Sequence, residues 1–401
     1  MPKQILYLTY DGLTDPLGQS QILPYLFKLS KLYSFTIISF EKKENNYLHY
    51  EIKDIVKKHG IRWVPLKYTK KPLIISTIID LYKLNSTINK LIKYNPIDLV
   101  HTRSYLVSII ALRMKKSKKI PFIFDMRGFY ADERIDGKIW HINNFIFKYV
   151  YKYFKIKERQ FLQFSSHTVS LTISGKKEIE SWNVPNLSPI SVIPCCTDSN
   201  HFSKENIIDI RPELGINSSD LVISYVGSLG SWYMLDEMLD FFKILLMKNN
   251  NAKFLFITQD NPDQIFEKSY KKNIPKSAIL VKGSSRKMIP SYIGASNFSI
   301  FFILPLYSKK ASSPTKMGEI MNLGIPIICN SGVGDVDYVM NECMPELLVN
   351  DFSDKEYKRV VDLILFNHKE KSSKIIKISQ KYFSLTKGVK KYADFYKEIL
   401  N

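Results

Sequence analysis

The chain has 401 residues, 45% of them apolar and 24% charged, and 58 Lys and Arg against 38 Asp and Glu leave a formal charge of +20. That length exceeds what a single hydrophobic core organises, so two domains are expected, and the composition excludes disordered and fibrous chains. No apolar run reaches the roughly 18 residues of a spanning helix; the longest, Asn297 to Tyr307, is short and interrupted by Pro305.

Taken in chain order, short apolar runs alternate with helix-length segments. The opening MPKQILYLTYDG lacks a signal-peptide cleavage pattern and places a first strand at Ile5–Thr9, so a cytoplasmic location is expected. Further strands are predicted at Phe35–Phe40, Ile61–Pro65, Leu99–His101, Phe122–Asp125, Thr168–Thr172 and Ser191–Ile193. Helical patterns lie between them at Gln19–Leu32, Tyr47–His59, Ile74–Tyr94 and Asn144–Phe164. The alternation pauses at VIPCCTDSNHF (192–202) and restarts at Leu221–Gly227, followed by strands at Lys253–Thr258, Ile279–Val281, Phe298–Phe302 and Ile325–Ile328. Helical patterns at Asp354–Phe366 and Gly388–Leu400 end the chain. Such alternation predicts an α/β protein with two parallel sheets, each with helices on both faces, and ligands at the carboxyl ends of the strands. The expected domains are 1–196, 197–382 and a C-terminal helix, 383–401, packing back on the first. A cleft is expected between the two sheets.

Ser312 to Ser331, SSPTKMGEIMNLGIPIICNS, carries the clearest chemistry. Ser313 suits an N-cap, Pro314 a first helical position, and Gly324 a helix stop. Lys316 and Glu319 are three residues apart and share a helix face near its positive end. A cation, a helix dipole and a carboxylate able to accept two hydroxyls suit a nucleotide diphosphate, although a capped surface helix with an ordinary ion pair would read the same way. Other residues of interest follow strands. Gly12 and Gly18 occupy a turn after the first, without a GxGxxG fingerprint. His101 and Arg103 follow the fourth, and Asp125, Arg127, Asp132 and Glu133 follow the fifth. A structural Asp125–Arg127 pair and a hydrogen-bonded His101 would leave the same pattern. Gly227 and Ser228 follow the first strand of the second series, where backbone amides could meet a phosphate, and Gly283 and Arg286 follow a later one. Asp335 and Asp337 resemble a metal-binding DxD, but they follow two glycines at a helix start, where Asp caps; no metal is expected. The four cysteines (195, 196, 329 and 343) lack zinc spacing, and the adjacent pair suits no ordinary disulfide, so reduced thiols are expected.

Charge is uneven. Residues 1–200 carry 31 Lys and Arg against 16 Asp and Glu, a net +15, which leaves 27 against 22, a net +5, for residues 201–401. A basic first half suits an anionic partner surface. In KYVYKYFKIK (148–157) lysines interleave with aromatics, as in a helix lying at a lipid interface. A lysine-rich composition throughout would give a similar count. No nucleic-acid motif is present, so no nucleic-acid partner is expected.

Together these segments resemble retaining nucleotide-sugar glycosyltransferases of the GT-B fold, in family 4 (group 1), over nearly the whole chain. YDGLTDPLGQSQ is similar to the opening glycine loop of a polysaccharide and O-antigen subgroup, with Gly18 at the donor phosphate. FDMRGFYADERIDG is similar to the acceptor-side segment of that subgroup, VIPCCTDSNHF to the hinge, and SPTKMGEIMNLGIPII to the donor helix. The resemblance implies two Rossmann-like domains and transfer of a sugar from a nucleotide-diphosphate donor to a glycan or lipid-linked acceptor, with retention. It also implies that neither cofactor nor metal takes part, and that the enzyme works peripherally on the cytoplasmic side of the membrane. Donor binding would fall to Gly18, Gly227, Ser228, Gly283, Arg286, Ser313, Thr315, Lys316 and Glu319, with Glu319 on the ribose. His101, Arg103, Asp125 and Lys316 would be the catalytic group, His101 either binding the donor sugar or orienting the acceptor. Asp11, Arg127, Asp132 and Glu133 would line the acceptor side. Two departures stand out. Ala311 occupies the position of the first glutamate of the family pair, and Gly227 to Trp232 lacks the usual cations. They keep two alternatives in view: a nucleotide-sugar 2-epimerase of the same fold, and a weakly catalytic subunit of a glycan-assembly complex.

Overall fold

A computed structural model describes residues 2–366 and 372–401. The chain divides into two compact units, Met1–Pro194 with Leu385–Asn401, and Cys195–Ser384.

The first unit contains β1 (Gln4–Thr9), α1 (Pro16–Gln21), α2 (Leu23–Leu29), β2 (Ser34–Glu41), α3 (His49–Lys58), β3 (Arg62–Lys67), α4 (Ile75–Ile92), β4 (Leu99–Arg103), α5 (Tyr105–Lys118), β5 (Phe122–Asp125), α6 (Tyr130–Asp136), α7 (Phe145–Phe164), β6 (His167–Ser170), α8 (Ile173–Ser181) and β7 (Ile190–Val192). Its seven strands are all parallel, in the order β3-β2-β1-β4-β5-β6-β7. Reversal of direction at β1 puts the crossovers of the two halves on opposite faces, because each crossover is right-handed. One continuous helix, predicted over 19–32, is instead two short ones that meet at Ile22. Pro24 has no N–H to give the carbonyl of Ser20, so the ladder breaks there.

The second unit contains β8 (Leu221–Val226), α9 (Leu235–Lys248), β9 (Ala252–Ile257), α10 (Asp263–Lys271), β10 (Ile279–Lys282), α11 (Ile289–Gly294), β11 (Phe298–Phe301), α12 (Thr315–Asn322), β12 (Ile327–Asn330), α13 (Val336–Cys343), β13 (Leu348–Val349), α14 (Asp354–Phe366) and α15 (Ser372–Tyr382). Its sheet runs β10-β9-β8-β11-β12-β13, also parallel. The two-residue β13 is too short to show a period and escaped the sequence reading. The last helix, α16 (Leu385–Leu400), returns to the first unit and packs on α2. No helix among the described residues is long and apolar enough to cross a membrane.

Candidate functional site

In the second unit, α12 begins at Thr315 with Pro314 before it. Ser313 is not the cap that its position suggests: its hydroxyl accepts the Cys195 amide at 3.1 Å, fastening the loop to the start of the unit. Gly324, at φ +75°, ends the helix in the left-handed conformation that glycine tolerates. Lys316 to Asn322 of the helix are buried, and Thr315 is half-buried.

Lys316 Nζ lies 3.7 Å from the ring centre of Tyr233 and 4.1 Å from that of Tyr225, and it makes no hydrogen bond. It points toward Gly227 at the end of β8, where a Cβ would stand only 3.2 Å from Nζ. The tyrosine faces offset part of the cost of burying the charge. Burial nevertheless drives the amine well below the usual lysine range, with Glu319 as the opposing influence. Glu319 itself is pushed up by burial, against the pull of Arg286 first and Lys316 second. Its direct partner is Arg286, Nη1 to Oε1 at 3.2 Å. Arg286 also stacks on Phe202. The helix therefore brings Lys316 and Glu319 to one place, but the carboxylate is bonded to the loop cation rather than to the lysine. A buried amine without a hydrogen bond, set against a glycine backbone, is a candidate partner for an anion.

The loop after β8 is partly engaged already. The Ser228 carbonyl accepts the Tyr225 hydroxyl, and the Leu229 amide donates to Asp260. Gly283 lies exposed beyond β10, beside Gln259. Ala311 is buried in a tight turn, Tyr307–Ala311. The Asp335 side chain makes no capping bond to its helix; Asp337 takes the Gly332 amide instead, at 3.0 Å. Tyr225 and Tyr233, which form the seat for Lys316, were not singled out from the sequence. Aromatics at a strand end and in a loop look like core there, and nothing local shows which cation they face.

In the first unit the opening loop departs from expectation. The amides of Leu13 and Thr14 donate to Glu41 at 2.8 and 3.1 Å, so a side chain of the protein already fills the nest they form. A Cβ on Gly18 would lie 2.1 Å from the Gly12 carbonyl. The glycine is required for packing of the loop on its own helix.

His101, Arg103 and Asp125 do come together, but not at open strand ends. They lie on the sheet face that α16 covers, at 2%, 4% and 1% exposure. Tyr396, 295 residues beyond His101, meets its Nδ1, and the Tyr392 hydroxyl donates to Asp125 Oδ2 at 3.0 Å. His101 Nε2 stands 3.8 Å from Asp125, an ion-pair distance too long for a hydrogen bond. Burial depresses the imidazole, and Asp125 only partly opposes it. Burial raises Asp125, but Arg127, His101 and Arg103 outweigh it and hold the carboxylate below its usual range. Arg127, at φ +59°, turns back so that Nη1 is 3.7 Å from Asp125. Arg103 donates to Asp11 at 3.2 Å. Asp132 is buried against α7, accepting from Tyr151 and Lys155 at 2.9 Å each, while Glu133 is half-buried in α6. The aromatic spacing Tyr392, Phe395, Tyr396 at i, i+3 and i+4 was the available sign that α16 is a cover.

Residues 33–201 match the family described as Glycosyltransferase Family 4, and residues 206–382 match Glycosyl transferases group 1. No curated protein matches the chain. Among solved structures, sucrose-phosphate synthase from Thermosynechococcus elongatus superimposes with a TM-score of 0.74 at 12% identity, covering 99% of each chain. HepE from Anabaena, in complex with UDP and glucose, gives 0.73 at 12%, covering 99% of this chain and 100% of that one. A UDP-N-acetylglucosamine 2-epimerase gives 0.60 at 12%, covering 97% and 94%. The fold is thus the two-domain α/β architecture of GT-B proteins. With one family matching the first half and its companion the second, the chain belongs to the family 4, group 1 glycosyltransferases.

Proposed function

We propose that the protein transfers a sugar from a nucleotide-diphosphate sugar to a hydroxyl of a glycan or lipid-linked acceptor, with retention, during synthesis of a cell-surface polysaccharide of the O-antigen type. The observation that carries this reading is Lys316, a buried amine without a hydrogen bond, seated on two tyrosines beside the Gly227 backbone. A diphosphate supplies the missing anion. Lys316 would stabilise the charge that grows on the leaving diphosphate, and the amides of Thr315 and Ser228 would add to it, that of Gly227 being taken by the Ile257 carbonyl. Glu319, bonded to Arg286 through Oε1, would accept hydroxyls of the ribose. UDP in HepE makes UDP-sugars the first donors to try. This chemistry uses groups of the chain alone and takes no metal or cofactor. Arg127 and Asp11 remain acceptor-side candidates, and Arg103, bonded to Asp11, a catalytic one. His101 and Asp125 are assigned instead to holding α16.

A thermal-shift screen of UDP-, GDP-, ADP- and CMP-sugars tests the reading, since a ligand that binds only the folded state raises the midpoint. Transfer of label from the shifting donor to a lipid-linked or oligosaccharide acceptor should follow, and the anomeric configuration of the product reports retention. If no nucleotide sugar shifts the midpoint, the reading is wrong. The likeness to a 2-epimerase motivates one alternative. Donor incubated without acceptor would then accumulate its epimer, whereas the transferase reading predicts only slow hydrolysis.

A further inference from the structure

We infer that the outer face formed by α4, α5 and α7 is a docking surface for an anionic phospholipid bilayer. These helices follow β3, β4 and β5, whose successors lie in one direction across the sheet, so right-handed crossovers put all three on one face. The middle helix, α5, packs against both of the others.

The three helices carry eleven Lys and Arg and only two carboxylates, Asp80 and Glu158. Both carboxylates point inward, at 0% and 1% exposure. Asp80 accepts from Tyr10, Thr69 and Lys83 inside the unit, and Glu158 from Tyr105 and Lys155. No acid of these helices therefore reaches the surface. A lysine-rich composition alone would scatter acids over the face as it does elsewhere; here every acid is turned in.

The apolar side chains show the reverse arrangement. In the first half of α4, Ser76 and Asp80 are buried while Ile75, Ile78, Ile79 and Tyr82 face outward, Ile78 at 61% and Tyr82 at 75% exposure. Their spacing of i, i+3, i+4 and i+7 makes a continuous stripe. On α7, Phe145, Tyr149 and Ile156 are exposed beside Lys148 and Lys152. At the far end of this face, burial and then the repulsion of Lys116 and Arg113 depress Lys157, so cations crowd there without local neutralisation.

A stripe of isoleucines and aromatics on helices whose surface charges are all cations suits acyl chains under phosphate headgroups. Aliphatic side chains at this spacing have no use on nucleic acid, and a second copy of the same face would repel it. The unit as a whole holds 35 Lys and Arg against 17 Asp and Glu, a net +18, and the remaining 23 against 21 give Cys195–Ser384 only +2. Lys155, part of the basic run in the sequence, takes no part, because it is spent on Asp132 and Glu158.

Co-sedimentation of the full chain, without nucleotide sugar, with vesicles of phosphatidylglycerol mixed into phosphatidylcholine and with phosphatidylcholine alone tests this face independently of the donor site. Binding to the anionic vesicles and little to the neutral ones is expected. Lys148→Gln with Lys152→Gln should weaken it by about fivefold per lysine. Ile78→Ser with Tyr82→Ser should weaken it by a similar factor while leaving turnover of a soluble acceptor unchanged. Hydrogen exchange of the wild-type chain gives a readout without substitution: vesicles should slow α4 and α7 and leave α9 and α14 alone. Equal binding to both vesicle types, unchanged binding by the Ile78/Tyr82 variant, absence of protection on α4, or single-stranded RNA binding that matches the vesicle binding would each overturn the proposal.

Discussion

The two units bury charge in opposite ways. In the first, His101, Asp125, Arg103 and Arg127 each face an opposite charge at 3.8 Å or less, with the hydroxyls of Tyr392 and Tyr396 beside them, although His101 Nε2 and Asp125 Oδ1 make no hydrogen bond. In the second, Lys316 is as deeply buried yet has no hydrogen bond. A set of buried charges that face one another holds structure together, because removing one member leaves the others less compensated. An open one costs stability until a ligand completes it. The cluster that looks more catalytic in sequence is thus the better candidate for a clasp on α16, and the plainer Lys316 for a receptor.

Substitutions should separate these roles. The largest stability loss is expected for Asp125→Ala, which takes the acceptor from the Tyr392 hydroxyl and an opposing charge from Arg127. Denaturant unfolding should show a loss of about 3–5 kcal/mol, with nucleotide affinity of the folded fraction unchanged. A variant of normal stability without transfer activity would instead return Asp125 to the catalytic machinery. Glu319→Gln should act in the opposite sense. It removes a buried charge, so stability should hold or rise, while donor affinity measured by calorimetry falls about 10- to 100-fold through the weakened hydroxyl contacts. Unchanged affinity would remove Glu319 from the site.

The two clusters also predict different pH responses. His101 is held below its ordinary 6.5, so the unfolded chain binds the proton first, and stability should fall as pH drops below about 6.5. That contribution should vanish in His101→Gln. Lys316 is held below 10.5, so its burial cost is relieved as pH rises through the window above its depressed value and below 10.5. Stability from this group should rise there, while affinity for a diphosphate falls, by up to about tenfold per pH unit. Nucleotide affinity independent of pH across that window would contradict an ammonium–diphosphate contact. The smallest effect belongs to Tyr396→Phe, which removes one hydroxyl from His101. Chemical denaturation should register about 1 kcal/mol, and donor affinity should not move.

Much of the fold was legible because strand and helix periods differ and the apolar runs are clean. β5 and α14 fall where predicted, and most other boundaries lie within a residue or two. The donor helix was legible from Lys316, Glu319 and Gly324 in one short segment. What was hidden depends on contacts far apart in sequence. Glu41 filling the amides of the opening loop, Tyr392 and Tyr396 covering Asp125 and His101, and Cys195 taking the Ser313 hydroxyl are all partnerships between separate elements. Local spacing identifies a residue that can bond but not the distant group that reaches it first. The inversion of α4 was hidden for the same reason. Its isoleucines read as core until Asp80 is seen to be the side chain that turns inward.

The most direct test of the central claim compares the wild-type chain with Lys316→Met, measuring the unfolding midpoint with and without the nucleoside diphosphate that stabilises the wild type best. Methionine fills much of the same space without the charge. The account predicts a higher midpoint for the free variant than for the free wild type, together with loss of the nucleotide-induced rise. A variant that is less stable than wild type, or that keeps the full nucleotide shift, would contradict it.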